Sequence, residues 1–267
     1  MRDLKLCIAG ATGWTGRALV RGVVEAPDLE LRSAVSRSAA GQDLGGALGG
    51  SALGIPVHAT VAEALDGVDV LIDFTAVDVV KANVLAAIDA GVAAVIGTSG
   101  LTADDFAELE AAALERSVGV VASGNFSLTA AMCQAGALLA ARHLPSWEVI
   151  DYASAAKPDV PSGTARELAE RLAEVRAPEI GHPVAELHGP REARGADVAG
   201  TQVHSVRLPS FVVSTEVVFG LPDERLTIRH DAGGTPEPYV AGTLLAARRV
   251  RELVGLTRGL DTLLVNG

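Results

Sequence analysis

Aromatic side chains are scarce here, at 3% of 267 residues, so the core must be assembled from Ala, Val, Leu and Ile. Cysteine is nearly absent. Cys7 and Cys133 stand far apart, with no metal-ligand spacing around either, and read as buried thiols in a reducing compartment. Net charge is -11 with no basic run, which argues against a nucleic-acid partner. No apolar stretch approaches the ~20 residues of a membrane span. The N-terminal MRDLKLCIAG leads straight into a strand-like segment and lacks the form of a signal peptide, so a cytoplasmic location is expected. Lysine is rare as well: of 22 basic side chains only Lys5, Lys81 and Lys157 are not Arg. Where a chain favours Arg so strongly, a retained Lys draws notice, because the two cations are not interchangeable.

What is present is a globular composition, 49% hydrophobic and 21% charged, at a length that suits one large or two modest domains. Short apolar runs alternate with helix-like segments over the first 120 or so residues. Leu4–Ala9, Leu29–Val35, 68–74, 93–97 and 119–122 read as strands, and 17–24, 82–90 and 103–116 as helices. Strands apolar on both faces, alternating with helices, predict a parallel sheet covered on both sides. Residues 41–54 read as a glycine-rich loop. After Phe126 the texture changes to a long Ala-rich helix (128–143), a strand (147–153) and a helix (165–175). A Pro/Gly-rich excursion (177–200) and three β-rich segments (201–208, 211–219, 226–230) follow, then an apolar helix near 239–254. The expected fold is α/β: a Rossmann-type doubly wound parallel sheet plus an α+β domain. The expected domains are a dinucleotide-binding domain over 1–125, a substrate-binding and oligomerisation domain over 126–237, and a C-terminal helix over 238–267 that returns to the first domain.

Gly10, Gly13 and Gly16 form a GxxGxxG turn that follows an apolar strand at once and precedes a helix. Such glycines permit a tight turn and close approach of a phosphate, and the helix N-terminus supplies free N–H groups and positive dipole. Glycines also serve ordinary turns; the strand-before, helix-after context is what favours a dinucleotide. Thr12, Trp14 and Thr15 belong to the same turn. At the end of the next strand stand Ser36 and Arg37, where a NAD-selective site places an acid; an Arg suits a 2′-phosphate, which favours NADPH, with NADH also possible. Asp73-Phe74-Thr75 and Gly97-Thr98-Ser99-Gly100 close two further strands, where small hydroxyl and glycine residues suit a nicotinamide riboside.

The loop Lys157-Pro-Asp-Val-Pro-Ser162-Gly163-Thr164-Ala165 is the most specific stretch. Ser162 or Gly163 can cap the helix that follows, and the N–H groups of that helix start can bind a carboxylate beside the charge of Lys157. An ordinary capped helix with a surface Lys is the bland alternative. With this loop the chain resembles the dihydrodipicolinate reductase family, whose K-x-D-x-P-S-G-T-A loop binds substrate. The resemblance spans nearly the whole chain. It takes in the GATGWTG turn (with Trp14 where Arg is usual), Asp73–Thr75, Gly97–Gly100, Asn125-Phe126-Ser127, His204–Arg207, Glu216–Phe219 and Arg229–Ala232. It implies an oxidoreductase of amino-acid metabolism that reduces an imine-type, carboxylate-bearing small molecule with NADPH or NADH. It also implies cofactor contacts at Gly124, Asn125 and Phe126, and a homotetramer built through the sheet of the second domain.

The chain departs from that family where a His-His pair precedes the loop lysine by four and three residues. Here those positions hold Ala153 and Ser154, and one of the family's histidines is assigned as proton donor. Hydride addition to an imine needs a proton for the atom that gains the electron pair. Lys157, or a water held by Ser154, is therefore expected to supply it; Tyr152 is a weaker choice, since alternation along the strand can turn it to the other face. His230 has a bland reading as a structural residue and a second as a group near the site, whereas His58, His143, His182 and His188 read as surface residues. Two further functions stay open: an amino-acid dehydrogenase of the diaminopentanoate type, and an inactive sensor that binds NAD(P)H.

Overall fold

The computed structural model describes residues 3–265. In chain order the elements are β1 (Leu4–Ala9), α1 (Trp14–Glu25), β2 (Leu29–Val35), α2 (Leu44–Ala47), β3 (Val57–His58), α3 (Val61–Ala64), β4 (Val70–Asp73), α4 (Val77–Asp89), β5 (Ala93–Ile96), α5 (Ala103–Arg116), β6 (Gly119–Ala122), α6 (Leu128–Ala141), β7 (Ser146–Ala153), α7 (Gly163–Val175), β8 (Ala196–Val198), β9 (Thr201–Arg207), β10 (Val213–Leu221), β11 (Glu224–Asp231), α8 (Pro238–Arg249), β12 (Gly255–Arg258) and α9 (Leu260–Val265). The chain divides into two compact units. The first runs to Leu128 and takes in the chain from Pro236 onward; the second spans Thr129–Thr235.

The first unit holds a seven-stranded sheet in the order β12-β6-β5-β4-β1-β2-β3, with every pairing parallel. Its inner strands carry no polar alternation because both faces are covered. Leu6, Cys7, Ile8 and Ala9 are all fully buried. Cys7, Ala9 and Leu71 pack with Val61, Ala64 and Ala87 of α3 and α4, and α1 and α8 pack on each other. That last contact is tight: a Cβ on Gly22 of α1 would lie 2.3 Å from Val240 Cγ1 of α8. Arg248 of α8 grips Asp28 with two hydrogen bonds of 2.7 and 2.9 Å. Both thiols are buried, and burial pushes Cys7 up to about 12 and Cys133 up to about 11, so neither is a nucleophile near neutral pH.

The sequence reading and the structure differ in several places, and β3, α3 and β8 were not expected at all. Residues 41–54 contain the single turn α2, held because the Asp43 carboxylate accepts the N–H groups of Gly45, Leu53 and Ile55. The C-terminal helix ends at Arg249 rather than continuing to 254, and a seventh strand, β12, follows it and pairs with β6. β12 carries Gly, Thr and Arg, so its pattern lacks the apolar run that marks the inner strands.

The second unit holds a five-stranded sheet in the order β11-β10-β7-β9-β8. All pairs are antiparallel except β7 with β9, which run parallel because α7 crosses over between them. β7 alternates strictly: Trp147, Val149, Asp151 and Ala153 are buried, and the residues between them are half-buried. Ala137 and Ala141 of α6 and Ala165, Leu168 and Leu172 of α7 cover the buried face, with Phe219, Val217 and Val203 beside the β7 side chains.

Candidate functional site

In the first unit five parallel strands end level with one another. Ala9 faces Val35 of β2 and Asp73 of β4; Asp73 faces Ile96 of β5, and Ile96 faces Ala122 of β6. The strand order reverses between β1 and β4, the switch point beyond whose carboxyl ends ligands sit in such sheets. The residues singled out from sequence all follow these ends: Gly10 to Thr15 after β1, Ser36 and Arg37 after β2, Phe74 and Thr75 after β4, Gly97 to Ser99 after β5, and Gly124 to Phe126 after β6.

The turn after β1 has no room for side chains. Gly10 sits at φ +81°, and a Cβ there would lie 2.3 Å from the Phe74 carbonyl oxygen; a Cβ on Gly16 would lie 2.1 Å from the Gly10 carbonyl oxygen. Gly13 caps α1 without a side-chain acceptor, and no acid occupies the first turn. The helix start is thus left to an external anion. Thr12 and Ser36 hydroxyls lie 2.8 Å apart and tie the turn to the end of β2. Arg37 is exposed and makes no ion pair among the described residues. Trp14 is exposed at the start of α1, with the Tyr239 ring edge-on to it at 6.2 Å.

Beyond β4 and β5 the organising group is Asp73, which is completely buried. Its Oδ1 accepts the Thr75 N–H (3.0 Å) and the hydroxyls of Thr75 (2.6 Å) and Thr98 (2.9 Å), and its Oδ2 accepts Asn83 Nδ2 (2.8 Å). Both threonine hydroxyls spend their protons on Asp73, so toward a ligand they present lone pairs only. The Phe74 ring lies over Gly97, where a Cβ would come within 2.1 Å of it, and tilts against Phe126 at 5.9 Å. Asn125 is buried; its Oδ1 accepts the Ser127 N–H at 2.8 Å, while its Nδ2 has no hydrogen-bond partner. A buried unpaired donor is costly unless a ligand meets it. A glycine cradle, an uncapped helix start, a free Arg and an unpaired buried amide together fit a phosphate-bearing dinucleotide.

In the second unit the loop 157–164 is held from below by Asp151, again completely buried. Asp151 accepts the Ser162 N–H (2.8 Å) and hydroxyl (2.6 Å), the Ser205 hydroxyl (3.1 Å) and Arg207 Nη2 (2.8 Å). Ser162 caps α7 by accepting the Ala165 N–H, and Gly163 and Thr164 open the helix. Lys157 Nζ lies 2.9 Å from Asp159 Oδ1. Ser154 accepts the Lys157 N–H on its carbonyl oxygen, and its own hydroxyl faces the Ala156 N–H at 3.3 Å. Tyr152 points to the opposite face, where its hydroxyl donates to Glu216 and the Arg229 guanidinium covers its ring at 4.7 Å. Burial and Glu216 hold its phenol above the ordinary value, which turns it from acid chemistry at the loop.

His230 is buried on β11 with Nδ1 unpaired; it faces Thr215, whose hydroxyl is also buried and unpaired. His143, His182 and His188 are exposed, and His58 is half-buried. No group of three metal-ligating side chains exists among the described residues, and no described helix is long and apolar enough to cross a membrane.

Asp73, Asp151 and Arg207 were not singled out from sequence as site residues. A signal existed. Asp73 ends an apolar run, VLID, and Asp151 occupies the buried phase of an alternating strand; a charge in such a position must be paired.

The chain matches the family described as Dihydrodipicolinate reductase, N-terminus, over residues 4–126, and Dihydrodipicolinate reductase, C-terminus, over residues 126–264. It is 38% identical to a 4-hydroxy-tetrahydrodipicolinate reductase of Thermosynechococcus vestitus over 98% of this chain and 97% of that one. It is 38% identical to the protein of the same name from Moorella thermoacetica, covering 98% of each. Among solved structures it is similar to a dipicolinate-bound dihydrodipicolinate reductase from a Paenisporosarcina species, with a TM-score of 0.78, 28% identity and coverage of 97% and 99%. An amine dehydrogenase from Mycobacterium smegmatis shares the fold at a TM-score of 0.64 and 17% identity, covering 97% and 95%.

Proposed function

The chain belongs to the dihydrodipicolinate reductase family, and from that premise we propose that this NAD(P)H-dependent reductase acts on a small cyclic imine bearing carboxylates, with 4-hydroxy-tetrahydrodipicolinate as the first substrate to try. The observation that carries the reading is the loop 157–164, which holds a lysine ammonium paired with Asp159 and leads into a capped helix start. Both features attract a carboxylate.

The chain's own residues divide the work. The first turn of α1 receives the pyrophosphate, and Arg37 receives a 2′-phosphate, which favours NADPH over NADH. Thr75 and Thr98, as acceptors, take hydrogen bonds from ligand hydroxyl or amide donors, and Asn125 Nδ2 gives one. When bound, the cofactor supplies the hydride. The helix start at Gly163–Thr164 binds a substrate carboxylate, with Ser162 spent as its cap. Ala153 and Ser154 stand where the family's histidines are expected, and alanine has no proton to give. Lys157, or a water held on the Ser154 hydroxyl, delivers the proton that must accompany hydride.

The assay follows NADPH oxidation with freshly prepared 4-hydroxy-tetrahydrodipicolinate, comparing wild type with Lys157→Ala. Turnover that falls by about 10²-fold or more in the variant supports the reading. Absence of wild-type turnover, with NADPH still bound, rejects this substrate and directs the search to other cyclic imines and 2-imino acids.

The assembly proposed is a homotetramer through the face of the second sheet opposite α6 and α7. That face carries half-buried Ile150, Val206 and Val218 among ion-paired side chains such as Glu216 with Arg229. Light scattering on the eluting protein should give four chains per particle, and a one-chain particle would exclude the assembly.

A further inference from the structure

We propose that Asp151 and Arg207 are the positioning residues of the carboxylate clamp, acting on its two arms from beneath and touching no substrate themselves. The inference rests on the reading of the loop 157–164 as that clamp.

One arm is the helix start. The Asp151 carboxylate accepts both the backbone N–H and the hydroxyl of Ser162, at 2.8 and 2.6 Å. Two bonds to one residue fix its position and its rotamer. The hydroxyl proton is committed to Asp151, so the hydroxyl oxygen can only accept, and it accepts the Ala165 N–H. Ser162 is thereby locked as the cap, and the first N–H groups of α7 are aimed in one direction before any ligand arrives.

The other arm is the ammonium. Arg207 Nη2 donates at 2.8 Å to Asp151 Oδ2 and at 2.8 Å to the Asp159 carbonyl oxygen. Asp159 in turn holds Lys157 Nζ at 2.9 Å through its carboxylate. The ammonium is therefore referred back to β7 through a chain of named contacts: Lys157 to Asp159, Asp159 to Arg207, Arg207 to Asp151. One buried carboxylate thus sets the spacing between the two arms. Arg207 also has a second effect, because its charge cancels that of Asp151 beneath a site meant for an anion. Without it, a bare carboxylate would lie behind the loop and repel the ligand it is meant to receive.

A purely structural role for the pair predicts something different. It would lower the melting temperature and leave the folded protein's ligand affinity alone. Preorganisation predicts that affinity for a dicarboxylate falls even in protein that is fully folded, because the arms must then be ordered at the moment of binding.

The experiment uses the full chain with Asp151→Asn, Arg207→Lys and, as reference, Lys157→Ala. Titration calorimetry with dipicolinate in the presence of NADPH gives the ligand affinity. Fluorescence titration gives NADPH affinity, circular dichroism confirms folding, and steady-state rates give KM and kcat. Asp151→Asn is expected to weaken dipicolinate about ten-fold or more and to raise KM by a similar factor, with NADPH affinity within about two-fold of wild type. Arg207→Lys keeps a cation for Asp151, but its shorter side chain ends in a tetrahedral ammonium, which lacks the planar Nη2 group that meets both Asp151 and the Asp159 carbonyl and the Nη1 group that holds the Val206 carbonyl. A smaller loss of about three- to ten-fold is expected there, accompanied by a fall in kcat as Lys157 loses its reference point. Folded Asp151→Asn protein that binds dipicolinate within about two-fold of wild type overturns the proposal. Should that variant fail to fold, Arg207→Lys decides alone, since it leaves no buried charge unpaired, and unchanged dipicolinate affinity and KM there overturn the proposal equally. Lys157→Ala separates the two layers of argument. A loss in Lys157→Ala with none in the other two sinks the positioning role and spares the clamp. No loss in Lys157→Ala sinks the clamp, and the positioning role with it.

Discussion

Each unit keeps one completely buried carboxylate at its site, and the two are solvated by different means. Asp73 is met only by neutral donors: a backbone N–H, two threonine hydroxyls and an asparagine amide. Asp151 is met by a backbone N–H, two serine hydroxyls and the guanidinium of Arg207. Burying a charge without compensation costs several kcal/mol. Asp73 meets that cost with charge-assisted hydrogen bonds, worth about 1.5–3 kcal/mol each, and has no cation among these partners. Asp151 has its charge cancelled. The difference matches what each unit is proposed to hold. A nicotinamide ring becomes cationic once it has given up hydride, so a retained negative charge beside it is favourable. An incoming carboxylate is anionic, so a negative charge behind it is not. On the proposed reading, the same device, a buried Asp that orients the groups around it, serves electrostatically opposite ends in the two units.

The sharpest way to break this comparison is to neutralise Asp73. Asp73→Asn must turn at least one amide N–H toward a donor, because all four of its present partners donate. The expected cost is about 2–4 kcal/mol of folding stability, read by urea unfolding. NADPH affinity is expected to fall as well, since Thr75 and Thr98 lose the acceptor that fixes them, while dipicolinate binding changes little. This is the reverse of the pattern expected for Asp151→Asn. If both variants lost both ligands equally, the two halves would not be separately organised, and the comparison would fail.

A smaller effect is expected at Arg37. It is exposed and unpaired at the start of the turn after β2, so its removal leaves no orphaned partner and no loss of stability. Arg37→Ala should weaken NADPH by about ten- to a hundred-fold, the worth of a charge-assisted contact of about 1.5–3 kcal/mol. NADH should be unaffected. Equal weakening of both cofactors would place the 2′-phosphate elsewhere and leave Arg37 a solvated surface residue.

Much of the first unit was legible because its physics is local. A strand buried on both faces announces itself as an apolar run, and β1, β2, α5 and β6 follow their sequence bounds residue for residue. The GxxGxxG turn is likewise read from neighbours in sequence. The second unit was legible in its elements and less so in its site. Its loop was visible, yet the group that orders the loop lies six residues before Lys157 on β7, and its counter-ion lies 56 residues further on, on β9. Neither pairing has a local signature. β12 was missed for a related reason. As an edge strand it needs few apolar residues, and only its partner β6 reveals it.

The smallest effect expected is a pH dependence within the second unit. His230 is buried in the second unit, and burial, opposed in part by Asp231, holds its pKa below the ordinary value. His58, the histidine of the first unit, is half-buried at the end of β3. A histidine kept neutral in the fold and free to protonate when unfolded makes the unfolded state bind more protons below an unfolded pKa of about 6.5. Stability should therefore be full above that value and decline as pH falls through it, the opposite sense to a histidine stabilised by an acid. His230→Asn removes the titrating ring, so the decline of melting temperature between about pH 7 and 5.5 should flatten relative to wild type. The neighbouring Thr215 hydroxyl offers a companion test. It is buried and unpaired, so Thr215→Val exchanges an unsatisfied polar atom for a methyl of similar shape, and should be neutral or stabilising by up to about 1 kcal/mol in the unliganded protein. Were Thr215→Val to weaken dipicolinate while leaving the melting temperature unchanged, the hydroxyl and its histidine neighbour would belong to the substrate's surroundings rather than to the core, and the second unit would then bind its ligand with more than the loop.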